Sequence, residues 1–346
     1  MNLQGIMGIT RKRLFWPLFT LGIILLFDLV AIPGFFSIQF RDGNFFGRPV
    51  DILNRGSVYA ILAVGMTLVI ATGGIDISVG SVLAISGAIV ATMLGSGFET
   101  QIPMVLCILA AVGICTVIGC WNGLLVSKIG VQPVVATLIL MVAGRGIAQL
   151  VTGGNIPTTQ YLPFTYVAGF IPGIPLPTSV FIAAVVVIFA LLVTKKSALG
   201  MFIEAIGINP KASRFSGIKV SKLVFMAYAF TGFCAGIAGL ITCSQIKAAD
   251  ANNAGLLIEL DAILAVAIGG TSLAGGKFSI GASVIGALIL QTLTTTLYAL
   301  GVSPLALNVV KSLVVITICL IQAEEFRKVI LRIVYRSERG VKNAKA

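Results

Sequence analysis

ILAVGMTLVIATGGIDISVGSVLAISGAIVATML, residues 61–94, holds a single charged side chain, Asp76, in its whole length. Two apolar runs flank a segment of glycines, an acid and a hydroxyl: Gly73-Gly74-Ile75-Asp76-Ile77-Ser78-Val79-Gly80. A bilayer crossing takes about 20 apolar residues, and with their flanks the two runs, 56–72 and 77–97, approach that length. The glycines between them accept backbone angles that a turn demands.

The rest of the chain repeats this character. Of its 346 residues 58% are hydrophobic and 10% charged, and the mean hydropathy is +1.06. A soluble domain carries about 25% charged residues; this chain has too little polar surface to cover a globule in water. Apolar runs place spans near residues 14–36, 56–72, 77–97, 103–127, 131–152, 176–194, 223–245, 256–274, 279–300 and 303–322. The expected fold is therefore an all-α polytopic membrane protein of about ten transmembrane helices. The eighth span is interrupted by Glu259 and Asp261. An even count puts both termini on one side. The first run, from Leu14 to Phe36, is too long for the apolar core of a secretory signal and reads as a retained span.

The net charge of +12 follows topology rather than nucleic acid. With the N-terminus cytoplasmic, eighteen of the 24 Lys and Arg fall in cytoplasmic segments: residues 1–13, Lys128, the loop 195–222, Lys277 and the tail 323–346. Arg41, Arg48, Arg55 and Lys247 fall outside, and Arg145 and Lys311 within spans. That asymmetry is the positive-inside rule. One transmembrane domain, 1–346 with a membrane core over 14–322, is expected, with no room for a separate nucleotide-binding domain.

The chain has no His, which removes the commonest general base and metal ligand. Its six cysteines lie in apolar stretches without a CxxC pair and read as packing residues. No paired acids within one span and no Ser–base constellation argue for an intramembrane enzyme; neither cofactor nor metal is expected. TSLAGGK from Thr271 falls short of a phosphate-binding loop, with Thr271 where the first Gly belongs and Phe278 where Ser or Thr belongs.

Ile61-Leu62-Ala63-Val64 followed by the break at Gly73 recurs, 202 residues on, as Ile263-Leu264-Ala265-Val266 followed by GGKFSIG from Gly275. Interrupted apolar segments at matching places in two halves point to a transporter's working region; chance recurrence of small apolar residues is the alternative. Asp76 and Ser78 suit either a bend beside a translocation path or a helix cap. Arg145, between Gly144 and Gly146, is an ionisable group within a span and so a functional candidate, unless it snorkels to the interface. Asp28 and Lys311 raise the same question and could pair. Asn122, Gln149 and Gln291 can line a polar path or bond between helices. In the central loop, Asn209-Pro210 separates two short amphipathic helices, with Phe215 and Ile218 free to enter a groove on a soluble partner or to rest on lipid headgroups.

Three ordered motifs, GGIDISVGS, GINPKASRFSGI and GGTSLAGG, resemble the permeases of ribose-type bacterial sugar ABC importers, over about residues 50–322. FFGRPVDILNR, before the second span, looks most like the galactofuranose-type permeases. The resemblance implies the ten-helix importer fold, two permease subunits (identical or paralogous) with the path between them, cytoplasmic ATPase subunits and a periplasmic sugar-binding protein. It implies that Asp76, Ser78 and Ser81 border the path, with Asn122 and Arg145 as further candidates. It also implies that Ala205, Gly207, Asn209, Pro210, Ala212, Arg214, Gly217 and Ile218 belong to coupling helices that contact the ATPase. Lys211 stands where the family often has an acid. The rival reading is a secondary transporter driven by an ion gradient, which needs carboxylates within spans; Asp28 is the best placed.

Overall fold

The computed structural model describes residues 14–95 and 102–322, so the expected basic termini, 1–13 and 323–346, lie outside the described residues. The chain is built of helices. α1 (Phe15–Ala31) leads to a hairpin of β1 (Gln39–Arg41) and β2 (Asn44–Phe46), antiparallel with Arg41 opposite Asn44. The hairpin turns on Asp42-Gly43, both at positive φ, the backbone that a tight hairpin requires. Then follow α2 (Arg48–Ala71), α3 (Val79–Leu94), α4 (Met104–Leu124) with a π-helical turn at Leu125–Ile129, α5 (Pro133–Val151) and the short α6 (Leu162–Thr165). The remainder is α7 (Thr178–Lys196), α8 (Leu199–Ile208), α9 (Pro210–Phe215), α10 (Val220–Ile246), α11 (Ile258–Ile268), α12 (Ile280–Ala299) and α13 (Pro304–Gln322).

Six helices, α2, α4 with its π turn, α5, α7, α10 and α12, are long and apolar enough to cross a membrane; α1, α3, α8 and α13 are shorter apolar helices. Each expected span contains a helix, with two differences. The second begins at Arg48 rather than residue 56, because Pro49 in its first turn suits a helix start; much of FFGRPVDILNR is thus helical. The eighth shrinks to the 11 residues of α11, about 16 Å at 1.5 Å per residue, roughly half the ~30 Å hydrocarbon core.

The end of α2, the π turn after α4 and the starts of α5 and α10 border one cavity with α9, and helix ends gather on two faces. One face carries Lys128, Lys195, Lys196, Lys211, Arg214, Lys219, Lys222 and Lys277 together with α8 and α9. The other carries the hairpin, α6 and the segment after α10, joined by the Phe45 N–H donating to the Pro175 carbonyl (2.9 Å) and a bridge between Thr158 and Ala248.

α3 is the centre of the bundle. Fourteen of its 16 residues are buried, against α4, α5 and α10. Without water between helices to drive association, membrane helices gain by close backbone approach at small residues. α4 and α10 do this through GxxxG pairs, Gly119/Gly123 and Gly232/Gly236. A Cβ on Gly119 would stand 2.6 Å from the Tyr228 carbonyl oxygen, and one on Gly232 would stand 2.8 Å from the Gly119 Cα. Four of the six cysteines, Cys107, Cys115, Cys234 and Cys243, are buried in this core, and all six are free thiols.

The packing yields a contrast within one helix. Gly119→Val must force α4 from α10 and should cost about 1–3 kcal/mol or more, whereas Gly113→Val meets nothing within 4 Å and should be near neutral. Thermal unfolding of both variants in detergent checks this; equal transition temperatures would contradict the close-packed crossing.

Candidate translocation and coupling site

The two glycine-rich breaks singled out in the sequence meet each other. The carbonyl of Ala71, at the end of α2, has no partner within its helix; it accepts the Gly276 N–H at 2.9 Å. A Cβ on Gly275 would lie 2.9 Å from the Gly73 nitrogen and 3.2 Å from the Gly207 Cα. Gly73, Gly275 and Gly276 have φ of +85°, +92° and +95°, angles that a side chain resists. Both breaks are thus turns folded against one another.

α8 closes on this joint. A Cβ on Gly207 would collide with the Ala71 carbonyl oxygen and the Gly276 nitrogen, and would reach the Gly276 Cα at 2.8 Å. Glu204 accepts the Phe278 N–H at 3.4 Å. α9 restarts beyond Asn209, whose side chain accepts the Ala212 N–H (3.0 Å), with Pro210 in the first turn, as the Asn-Pro pair predicts. Of the coupling candidates, Asn209, Pro210, Ala212, Arg214 and Gly217 are exposed, and Ala205, Gly207 and Ile218 half-buried. Phe215 stands 93% exposed on this basic face. A Cβ on Gly217 would meet nothing within 4 Å, but the residue holds φ +82°, where Ile218 N–H reaches back to the Ser213 carbonyl (3.1 Å) and the loop turns into α10. A cavity of about 180 Å³ separates α9 from the first break, bordered by Thr72, Gly73, Ser127, Pro210, Arg214 and Ser221.

The path candidates are placed differently. Asp76, Ser78, Ser81 and Asn122 are all buried. The Asn122 amide donates to Ser78 Oγ (3.0 Å), and Ser78 donates from both its N–H (3.0 Å) and its hydroxyl (2.6 Å) to Asp76. Ser81 donates to the Ser78 carbonyl (2.9 Å), and Tyr228 to the Ile75 carbonyl (3.3 Å). This network fastens non-helical backbone inside the protein, the condition under which such backbone is tolerated at membrane depth. Within one chain these four side chains face packed helices.

Arg145 is half-exposed and donates to the carbonyls of Ala251 (3.0 Å) and Ala254 (2.6 Å). It sits beside the charges of Glu259 and Asp250, so it is a clamp on the segment after α10 rather than a snorkelling cation. Glu259 escaped the sequence reading as a site residue; it is buried, with Oε2 unpartnered among the described residues. Asp28 and Lys311 do not pair with each other. Asp28 accepts from Thr296 on α12 (2.7 Å), because α1 packs along α12. Lys311 lies against α11, with both Asp261 oxygens at 2.7 Å. Gln291 bonds within its own helix, to Thr295 (3.4 Å), rather than across helices.

The family described as branched-chain amino acid transport system / permease component matches residues 48–321. The chain belongs to that family. By that description it is a permease component of a transport system. It is 48% identical to the galactofuranose transporter permease protein YtfT of Escherichia coli (strain K12), over 91% of this chain and 93% of that one. It is 41% identical to the fructose import permease protein FruF of Bifidobacterium longum (90% and 89% covered). It is 38% identical to the ribose import permease protein RbsC of Escherichia coli (strain K12) (93% and 98%). No solved structure matches it significantly.

Lys311 and Asp261 are 10% and 17% exposed, so removing one leaves a poorly solvated charge. Lys311→Met or Asp261→Asn alone should destabilise the permease by about 3–5 kcal/mol, and the double variant should recover most of that loss. A double-mutant cycle of unfolding in detergent checks it; additive losses would show that the pair is not coupled.

Proposed function

We propose that this permease is the membrane-spanning subunit of an ATP-driven importer of a monosaccharide. The observation that carries the sugar is near full-length similarity to three permeases whose names all specify one, the first at 48% identity. In this reading ten helices or helix pairs cross the bacterial inner membrane, with both termini and the basic face cytoplasmic. A periplasmic binding protein delivers the sugar to the opposite face. The path runs between this chain and a second permease, identical or paralogous, and two cytoplasmic ATPase subunits grip α8 and α9.

The mechanism follows from the joint. A motor that binds outside can shift a conformational equilibrium only by its differential affinity for the two states, so movement of the ATPase must reach the helices without being absorbed. Gly207 lies directly on the turns that end α2 and begin α12. A displacement of α8 therefore bears on both repeats at once. Phe215 and Ile208, exposed among lysines, are the apolar residues that a groove on the ATPase would bury. Asp76, Ser78, Ser81 and Asn122 act in this scheme by holding the first turn rigid where it borders the path.

Reconstitution with the ATPase and binding protein tests the function. ATP-dependent uptake of labelled galactofuranose, ribose or fructose, unaffected by a protonophore at fixed ATP, is expected. Uptake of leucine instead would support the amino-acid substrate in the family's description, and uptake abolished by the protonophore would support an ion-driven transporter. Within that assay, Gly207→Val should leave ATP hydrolysis in place while sugar uptake falls about tenfold or more, as expected when a small misplacement removes coupling. Uptake at the level of the unsubstituted protein would remove the joint from the mechanism.

A further inference from the structure

The segment 247–257, between α10 and α11, turns back into the bundle. Cys243, near the end of α10, meets α3 at Gly87, the thiol lying 3.8 Å from the Gly87 carbonyl. Gly255 meets α3 at Gly80, where a Cβ would stand 2.7 Å from the Gly80 carbonyl. From residue 87 to residue 80 of α3 is about 10 Å at 1.5 Å per residue. Beyond Ile246, where α10 ends, the chain turns back without forming a helix, and α11 starts only where Ile258 and Glu259 meet Gly80.

Non-helical backbone at membrane depth persists only where protein buries it or where it lines a water-filled cavity. Here the two sides of the segment differ. Ala249, Ala251, Ile258 and Glu259 are buried against the bundle, whereas Asn252, Asn253, Leu256 and Leu257 are exposed. Asn252 accepts from the Gln149 amide on α5, Asn253 donates to Asp250 (2.7 Å), and Arg145 fixes the backbone from beneath. A flank carrying two exposed amides at this depth is not one that faces lipid tails.

The backbone is strained where the segment starts and where it ends. Lys247 and Leu257 have φ of +57° and +63°; among the described residues the only other non-glycine with positive φ is Asp42, in the hairpin turn. Strain of this kind costs about 1–3 kcal/mol for each residue and gathers at clamps and switch regions.

We infer that residues 248–257, held by Arg145, form the wall of the path that touches the solute. This rests on the transport reading above. Asn252, Asn253 and Gln149 present amides suited to the hydroxyls of a sugar, and Leu256 and Leu257 form an apolar constriction at the tip. It assigns to the path a set of residues largely different from the buried network around Asp76.

Accessibility to a water-borne thiol reagent decides the matter. A thiol reacts as the thiolate, which forms in water and not in apolar surroundings. In the reconstituted importer, Asn253→Cys and Leu256→Cys should each react with a membrane-impermeant methanethiosulfonate about tenfold faster or more than Val185→Cys, on the apolar flank of α7. Modification should block uptake, and saturating solute with binding protein should slow it. The unsubstituted chain, whose cysteines are buried or half-buried, is the background. If an importing complex labels at both positions no faster than at Val185→Cys, the assignment is wrong. Labelling does not depend on which solute is carried. A complex that labels as expected but imports no sugar would therefore overturn the substrate reading and leave this one standing.

Discussion

Everything in this permease depends on satisfying backbone polar groups where no water can do so. The carbonyl at the end of α2 is the clearest case. Had Ala71 ended its helix at a lipid-facing surface, its oxygen would go unpaired at a cost of several kcal/mol. Instead it accepts the Gly276 N–H, from the matching break of the other half, and that single bond draws the two turns together. Gly207 and Gly275 are needed because the approach leaves no room for a Cβ, and Gly73 because its φ is +85°. The same contact gives α8 a floor to press on.

The rest of the membrane core obeys the same constraint by other means. Where helices cross, Gly119, Gly232 and Gly236 let backbones touch. Where the chain leaves helical geometry, side chains take over: Tyr228 and Asp76 at the first break, Arg145 at the segment after α10. Where outer helices join the core, buried polar pairs hold them, Asp28 with Thr296 and Lys311 with Asp261. Ionisable groups in this permease thus serve mainly to fix one element to another.

Much of this was legible in the sequence. Apolar run length found the helices, and the Gly73 and Gly275 breaks marked the turns, because both signals are local. Asn209-Pro210 announced the α8–α9 boundary for the same reason. What was not legible is what depends on which helices become neighbours. Asp28 and Lys311 look like partners in the sequence because each is the lone charge in its span, yet α1 packs on α12 and Lys311 faces α11. Asp76 and Ser78 stand out as polar amid apolar sequence, but that Asn122 bonds to Ser78 depends on α4 lying beside the break. Residues 246–255 fell between two expected spans, since nothing local says that they fold back against α3; the interruption of the eighth span by Glu259 and Asp261 was the one trace of it. The GxxxG pairs were visible and could have predicted the α4–α10 crossing.

The central claim is that α8, α9 and the glycine joint move as one body when the ATPase closes. Lys211 on α9 and Ser272 beside the second break are both exposed, and spin labels there span the joint within one chain. Pulsed dipolar spectroscopy on the assembled complex, nucleotide-free and trapped with ATP, reads the distance between them. A distribution unchanged between the two states is predicted. A shift of several ångströms would mean that the joint yields, and that force from the ATPase reaches the helices by another route.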